Sequence, residues 1–404
     1  MVDNRVGRAH RGAGVLVGRA ALCLALIAAA SALWIAVDRS GTAAQAQTAD
    51  KPAADKPATP VARALPEMVD RKTAECIERG LKYLVNTQRN DGSWLNSGGY
   101  GMYPTVMTAL GGMALMAGGS TSESGPYAKH VTRAMNYVIR VGIANKDDGL
   151  LASDGAEGRS MYGHGFATLF LAQCYGTELT VEKEKEIEGI LERAVQLCRK
   201  SQSDFKTSFP APFDKAGGWI YTPEGRSDEG SVTVTQLQAL RACRNAGIKV
   251  PVEVINKAVA YLKHCQNPDG GISYSASSKG SSRPPISAAA IACFYAAGVY
   301  DRTIGGKGEE AEMVEKLVKY VKNVMGVDHN DGHWFYSQLY LGQAMYQRGG
   351  QDWKDHYPKI AKRLMETQAP DGSWNGDGVG TTYGTGIACI ILQLPYGYLP
   401  IYQR

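Results

Sequence analysis

Two kinds of apolar stretch alternate along residues 70–398. The first is one-sided: apolar residues fall at i, i+4 and i+7, as in Ile77, Leu81 and Leu84, with charged residues on the opposite face. The same spacing returns at Val131, Met135, Val138, at Ile190, Ala194, Leu197, at Ile255, Val259, Leu262 and at Met313, Leu317, Tyr320. That stripe predicts amphipathic helices with one face against a core. The second kind is apolar and small on most faces: Thr108 to Met116, Phe166 to Cys174, Ala288 to Ala297 and Gly386 to Leu394. A helix that is apolar all round is a buried one. The chain therefore predicts outer and inner helices in pairs, with no convincing period-2 run that would make a strand.

A repeated turn separates the two kinds. Three copies are nearly identical: Gln88-Arg-Asn-Asp91-Gly92-Ser93-Trp94, Gln266-Asn-Pro-Asp269-Gly270-Gly271 and Gln368-Ala-Pro-Asp371-Gly372-Ser373-Trp374. Weaker copies are Asp147-Asp148-Gly149, Ala216-Gly217-Gly218-Trp219 and Asn330-Asp331-Gly332-His333-Trp334. Such turns need positive φ at the glycine, so each copy should end one helix sharply. Six pairs give an all-α architecture, and six pairs can close into a ring, which removes the need to cap an open solenoid.

These Gln-x-x-x-Gly-x-Trp repeats resemble those of the squalene cyclase and prenyltransferase superfamily. The resemblance covers most of residues 70–398 and implies an (α/α)6 toroid of six helical hairpins. The Gln amide would satisfy unpaired groups at a helix end, and the Trp would cover the seam between neighbouring hairpins. Chemistry in that superfamily sits at the start of the inner helices. Its cyclases carry Asp-x-Asp-Asp-Thr-Ala there, a carboxylic acid kept neutral and aimed at an alkene or epoxide. The best match here, Ser231-Val232-Thr233-Val234-Thr235-Gln236, keeps the Thr and lacks the acid. The Asp, Cys and His that hold zinc in the protein prenyltransferases are missing, as is the Gly-Cys-Gly-Glu-Gln string of the toroidal thioester domains.

Aligning the inner-helix starts gives one position filled by Thr108, His164, Thr235, Ser287, Ser337 and Thr385. Ser and Thr there are ordinary N-caps. His164 differs, because Gly163 and Gly165 flank it and would leave its ring open to a central cavity, with a buried core histidine as the plainer reading. Tyr162-Gly163-His164-Gly165 matches Tyr383-Gly384-Thr385-Gly386. The candidate catalytic set is therefore Tyr162, His164 and Tyr383. Tyr103, Thr235, Ser337 and Thr385 are the candidate ligand-binding set, and no metal or cofactor is implied. The polar loops 149–160, with Asp154, Glu157 and Arg159, and 375–382, with Asp377, would form the rim of the mouth.

Two functions fit these residues. One is an interaction module holding an apolar or amphiphilic small molecule, or an extended peptide, in the central cavity: head group at the inner-helix N-termini, tail further in. The other is an enzyme of the terpenoid cyclase or transferase lineage with a non-standard Tyr/His site. A polysaccharide-lyase-like proton abstraction is a fold-level analogy.

Charge and composition add a third element. Ala20 to Val37 is apolar apart from Ser31, and residues 1–46 hold five arginines against two aspartates. Ala44-Gln45-Ala46 fits a signal-peptide cleavage site, while the run also approaches the ~20 residues of a membrane anchor. Residues 1–46 are thus an export signal or anchor, 47–66 an Ala/Pro-rich spacer, and 67–404 the toroid, placed outside the cytoplasm. The net charge of +5 lies largely in that leader, so no basic footprint for nucleic acid remains. The cysteines recur in similar helical contexts, as small core fillers would.

Overall fold

The computed structural model describes residues 64–403, apart from 154, 178–179, 205–216 and 226. The leader and most of the spacer lie outside the described residues. Asp70 starts the first helix, its carboxylate accepting the Thr73 backbone N–H at 2.7 Å. Twelve α-helices follow among the described residues: α1 (Arg71–Thr87), α2 (Pro104–Ala117), α3 (Ala128–Ala144), α4 (Ser160–Cys174), α5 (Val181–Ser201), α6 (Gly230–Asn245), α7 (Val252–Cys265), α8 (Pro284–Ala296), α9 (Gly308–Val324), α10 (Trp334–Arg348), α11 (Gly350–Thr367) and α12 (Thr381–Leu392). Only isolated β-bridges accompany them, such as Trp219 with Glu229.

The even-numbered helices form an inner ring, each packed on the next, and α12 closes it on α2. Each odd-numbered helix lies outside, chiefly against the inner helix of the preceding pair, so that α1 docks on α12. This is the (α/α)6 toroid expected from the alternating stretches. The stripes face inward: Ile77, Leu81 and Leu84 on α1 and Ile255, Val259 and Leu262 on α7 are all buried. The seven described cysteines are buried and form no disulfide with one another.

The repeated turn holds this ring together, with its parts differently assigned from the sequence expectation. The tryptophan indoles cap the helix ends. Trp94 Nε1 donates to the Leu84 carbonyl at 2.8 Å, Trp219 to Cys198 and Trp374 to Leu364, each a carbonyl in the last turn of an outer helix, and that of Cys198 also accepts the Gln202 N–H. The glutamines instead stitch neighbours together. Gln88 Nε2 donates to the Gly92 carbonyl and to His130 on α3, and Gln368 repeats this with Gly372 and with Cys76 on α1. Gly92 and Gly372 adopt φ of 91° and 90°. A Cβ at Gly372 would stand 2.5 Å from the Arg79 carbonyl oxygen, so the turn sits directly on the next outer helix.

Candidate functional site

The six inner helices begin at the same end of the ring, and a single polar position near each start ties it to the preceding turn. Thr108 Oγ1 accepts the Trp94 backbone N–H, Ser287 the Ile272 N–H and Thr385 the Trp374 N–H. In α6 the residue in this register is Thr233, which accepts Trp219 N–H at 3.0 Å, and not Thr235. Thr235 is 2% exposed and donates to the Ser231 carbonyl. Ser337 is buried and donates to His333. Thr235, Ser337 and Thr385 are thus buried and hydrogen-bonded within the helix–turn framework.

His164 occupies the same register in α4, and the same correction applies. Its Nδ1 accepts the Leu151 N–H at 3.1 Å, which leaves the proton on Nε2, 3.2 Å from the Ala194 carbonyl on α5. It is fully enclosed, and burial lowers its pKa to about 4, so it is neutral near pH 7. The flanking glycines admit other atoms rather than expose the ring. A Cβ at Gly163 would meet Glu157 Oε2 at 1.9 Å, and one at Gly165 would meet Thr235 Cγ2 at 2.5 Å. Cys198 Sγ lies 3.3 Å from His164 Nε2 and near Gln236 Oε1. Burial pushes that thiol up, so this Cys–His contact holds no thiolate.

Tyr162 and Tyr383 each stand in the first turn of an inner helix, α4 and α12. Half-buried Tyr336 stands within electrostatic reach of both and of Glu229, and its own hydroxyl has no hydrogen-bond partner. Tyr162 donates to Ser231 Oγ, whose proton goes to Glu229 at 2.7 Å. Tyr221 stacks obliquely beside Tyr162 at 6.1 Å, and its hydroxyl bonds that of Tyr274, which is 39% exposed. Tyr103 sits at the start of α2 with a left-handed φ of 40°, and Tyr100 in the same loop is 57% exposed. Sequence reasoning missed Tyr100, Tyr221 and Tyr274, whose signal is tyrosine in the loops before inner helices, and Tyr336, which lies in the first turn of α10.

Three carboxylates occupy the positive ends of alternate inner helices. Glu229 caps α6, accepting Ser231 and Val232 N–H. Glu157 reaches from the loop before α4 to Thr105 N–H on α2 at 2.6 Å. Asp377, from the loop before α12, accepts Phe335 N–H on α10 at 2.7 Å. Burial raises the pKa of all three, that of Glu157 to about 7, and its Oε2 has no partner. These ends are therefore taken, and do not offer the open anion site that six free helix N-termini would. Asp154 lies outside the described residues.

Below the mouth the axis is filled. Leu110, Met113, Leu169, Ala289, Ala292, Ile387 and Ile390, which the helical register turns toward the centre, are at most 3% exposed. Ile401 and Tyr402 of the C-terminal tail are buried against α6 and α10. The hydrocarbon funnel expected from the small inner residues is packed shut. A separate concavity of about 280 Å³ lies at the opposite end, where Gln173, Tyr175, Asn245, Tyr398 and Leu399 meet.

No protein-family model matches the sequence, and no curated protein sequence matches it. Solved structures do match in shape. An α-1,6-mannanase from a Salegentibacter species is 9% identical, with a TM-score of 0.57 over 81% of this chain and 99% of that one. The type II terpene cyclase MstE from Scytonema is 15% identical, with a TM-score of 0.50 over 82% of this chain and 98% of that one. A protein from Actinoplanes is 15% identical with a TM-score of 0.52 over 81% and 99%. The chain has the helical toroid fold. At these identities the likeness is one of fold, and the resemblance of the repeats to terpenoid cyclases stands at that level. Among the described residues no helix is long and apolar enough to cross a membrane.

Proposed function

We propose that the protein is an exported binding module that holds a sugar chain across its tyrosine-lined mouth without turning it over. The gathering of Tyr162, Tyr221, Tyr274, Tyr336 and Tyr383 at one end of the ring is the observation that supports this most. Tyrosines present an apolar face and a hydroxyl at once, which suits ring-shaped, polyhydroxylated ligands. The filled axis favours a ligand lying across the mouth over an isoprenoid tail entering it. Groups suited to acid–base or nucleophilic chemistry are committed elsewhere: Glu229 and Asp377 hold backbone amides, and His164 and Cys198 are enclosed. The mannanase toroid has been captured with α-1,6-mannotriose, and the terpene cyclase with geranylgeranyl dihydroxybenzoate; both are parallels of fold alone.

Calorimetry with neutral oligosaccharides tests the reading. Tyr221→Ala and Tyr274→Ala should weaken binding at least about tenfold, the worth of a lost aromatic contact in a binding centre, in proteins that remain folded by circular dichroism. Unaltered binding in both variants would refute the site. One observation favours an enzyme instead: Glu157 keeps a bare oxygen on a carboxyl that titrates near neutrality, the state a general acid needs. Product accumulating with wild type and not with Glu157→Gln would establish that reading.

Export rests on the apolar run Ala20 to Val37 and the site at Ala44-Gln45-Ala46. N-terminal sequencing that begins at Gln47 indicates secretion, and an intact Ala20 to Val37 segment in the membrane fraction indicates an anchor. Full-length protein in the cytosol would contradict both.

A further inference from the structure

The mouth carries two cations that no described carboxylate pairs with. Arg159 ends the loop before α4 and Arg283 the loop before α8, and both side chains are exposed. Arg159 lies over the Tyr221 ring at 4.3 Å and Arg283 over the Tyr274 ring at 5.9 Å. Tyr221 and Tyr274 are joined through their hydroxyls, so the four side chains form one arc, Arg159–Tyr221–Tyr274–Arg283, passing above α6. Neither arginine forms an ion pair with a described carboxylate.

The buried acids at this end are committed to other groups. Glu229 is 1% exposed and spent on the first turn of α6. Asp228 is 3% exposed and accepts from Ala276 N–H, Ser277 N–H and the Tyr261 hydroxyl. Glu157 faces α2. Two guanidinium groups are thus held on aromatic faces with their remaining donors turned to solvent. Stacking fixes the planar fork and lowers the ordering cost of a bidentate contact with an oxyanion. Helices α4 and α8 are separated by α6 in the six-membered ring, which sets their starts roughly 14–17 Å apart for a spacing of about 8–10 Å between packed neighbours. One small anion does not span that interval, whereas a chain with repeated anionic groups does.

We propose that the ligand is an acidic oligosaccharide, with carboxylate or sulfate groups on successive sugars, that Arg159 and Arg283 each take one anionic group, and that Tyr221 and Tyr274 carry the sugar rings between them. This rests on the sugar-binding function proposed above and deepens it.

The test compares oligogalacturonate with neutral manno-oligosaccharides of equal length on full-length wild type, Arg159→Gln, Arg283→Gln and the double variant, by calorimetry at low and high salt. The acidic ligand should bind more tightly to wild type, lose about tenfold with each single substitution and weaken as salt rises. The neutral ligand should be indifferent to all three changes. Equal binding of acidic and neutral ligands, untouched by the arginine variants, would overturn the acidic specificity while leaving the sugar site standing. Binding of neither ligand would overturn both. Inorganic polyphosphate binding as tightly, with the same arginine dependence, would replace the sugar by an anion alone. Melting temperatures of the four proteins should agree, since both side chains are exposed.

Discussion

Glu157 makes a sharp prediction because its carboxyl is both buried and incompletely paired. It is 5% exposed, one oxygen holds the Thr105 N–H, and the other has no partner. Burial raises its pKa from 4.5 to about 7. A carboxyl with a raised folded pKa binds its proton more tightly in the native state, so between those two values the native state carries more protons than the unfolded one. Stability must then fall as pH rises through that window. At about 1.4 kcal/mol per pH unit, the full penalty above pH 7 is roughly 3 kcal/mol. Glu157→Gln keeps the acceptor for Thr105 and removes the charge. Urea unfolding of both proteins from pH 4.5 to 8.5 isolates the effect as their difference, because buried His164 and half-buried His356 titrate in both. Their lowered pKa values, each about 4, favour the native state as pH rises. The variant should gain on wild type steadily above pH 5 and lead by up to about 3 kcal/mol near pH 8. A difference that does not change with pH would show that Glu157 is comfortably ionised and that its burial is misjudged.

Other perturbations probe the ring and the register. Trp94→Ala should cost ~3–5 kcal/mol, since the indole is fully buried; Trp94→Phe should cost ~1–3 kcal/mol, mostly the lost bond to Leu84. A denaturant midpoint near wild type for the alanine variant would sink the capping role. Gly372→Ala should destabilise more than Gly332→Ala in thermal melts: both have φ of 90°, but only Gly372 presses on a backbone carbonyl. Equal losses would mean that dihedral strain alone decides. His164→Ala should lower stability by roughly 2–4 kcal/mol through the cavity and the orphaned Leu151 N–H and leave ligand affinity unchanged; a selective loss of affinity would return it to the site.

The ring was legible because its information is local. A one-sided stripe, a turn glycine and an all-round apolar helix each declare themselves within about twenty residues, and repetition supplies the closure. The site was less so. Ser231-Val232-Thr233-Val234-Thr235 offers two threonines, and only the bond from Trp219 selects Thr233. The glycines around His164 read as room for a ligand, whereas they make room for Glu157 and Thr235. Glu157 caps a helix that precedes it by some fifty residues, a pairing no local pattern announces. A helix that is apolar all round does not say whether its central face meets a cavity, and here it meets other side chains.

The most direct test of the mouth is a footprint. Hydroxyl-radical labelling read by mass spectrometry, with and without saturating oligosaccharide, reports which tyrosines the ligand covers. Protection of Tyr221 and Tyr274, with Tyr175 and Tyr398 at the opposite end unchanged, is the result expected. Protection confined to Tyr175 and Tyr398 would place the ligand in the 280 Å³ concavity and contradict the account.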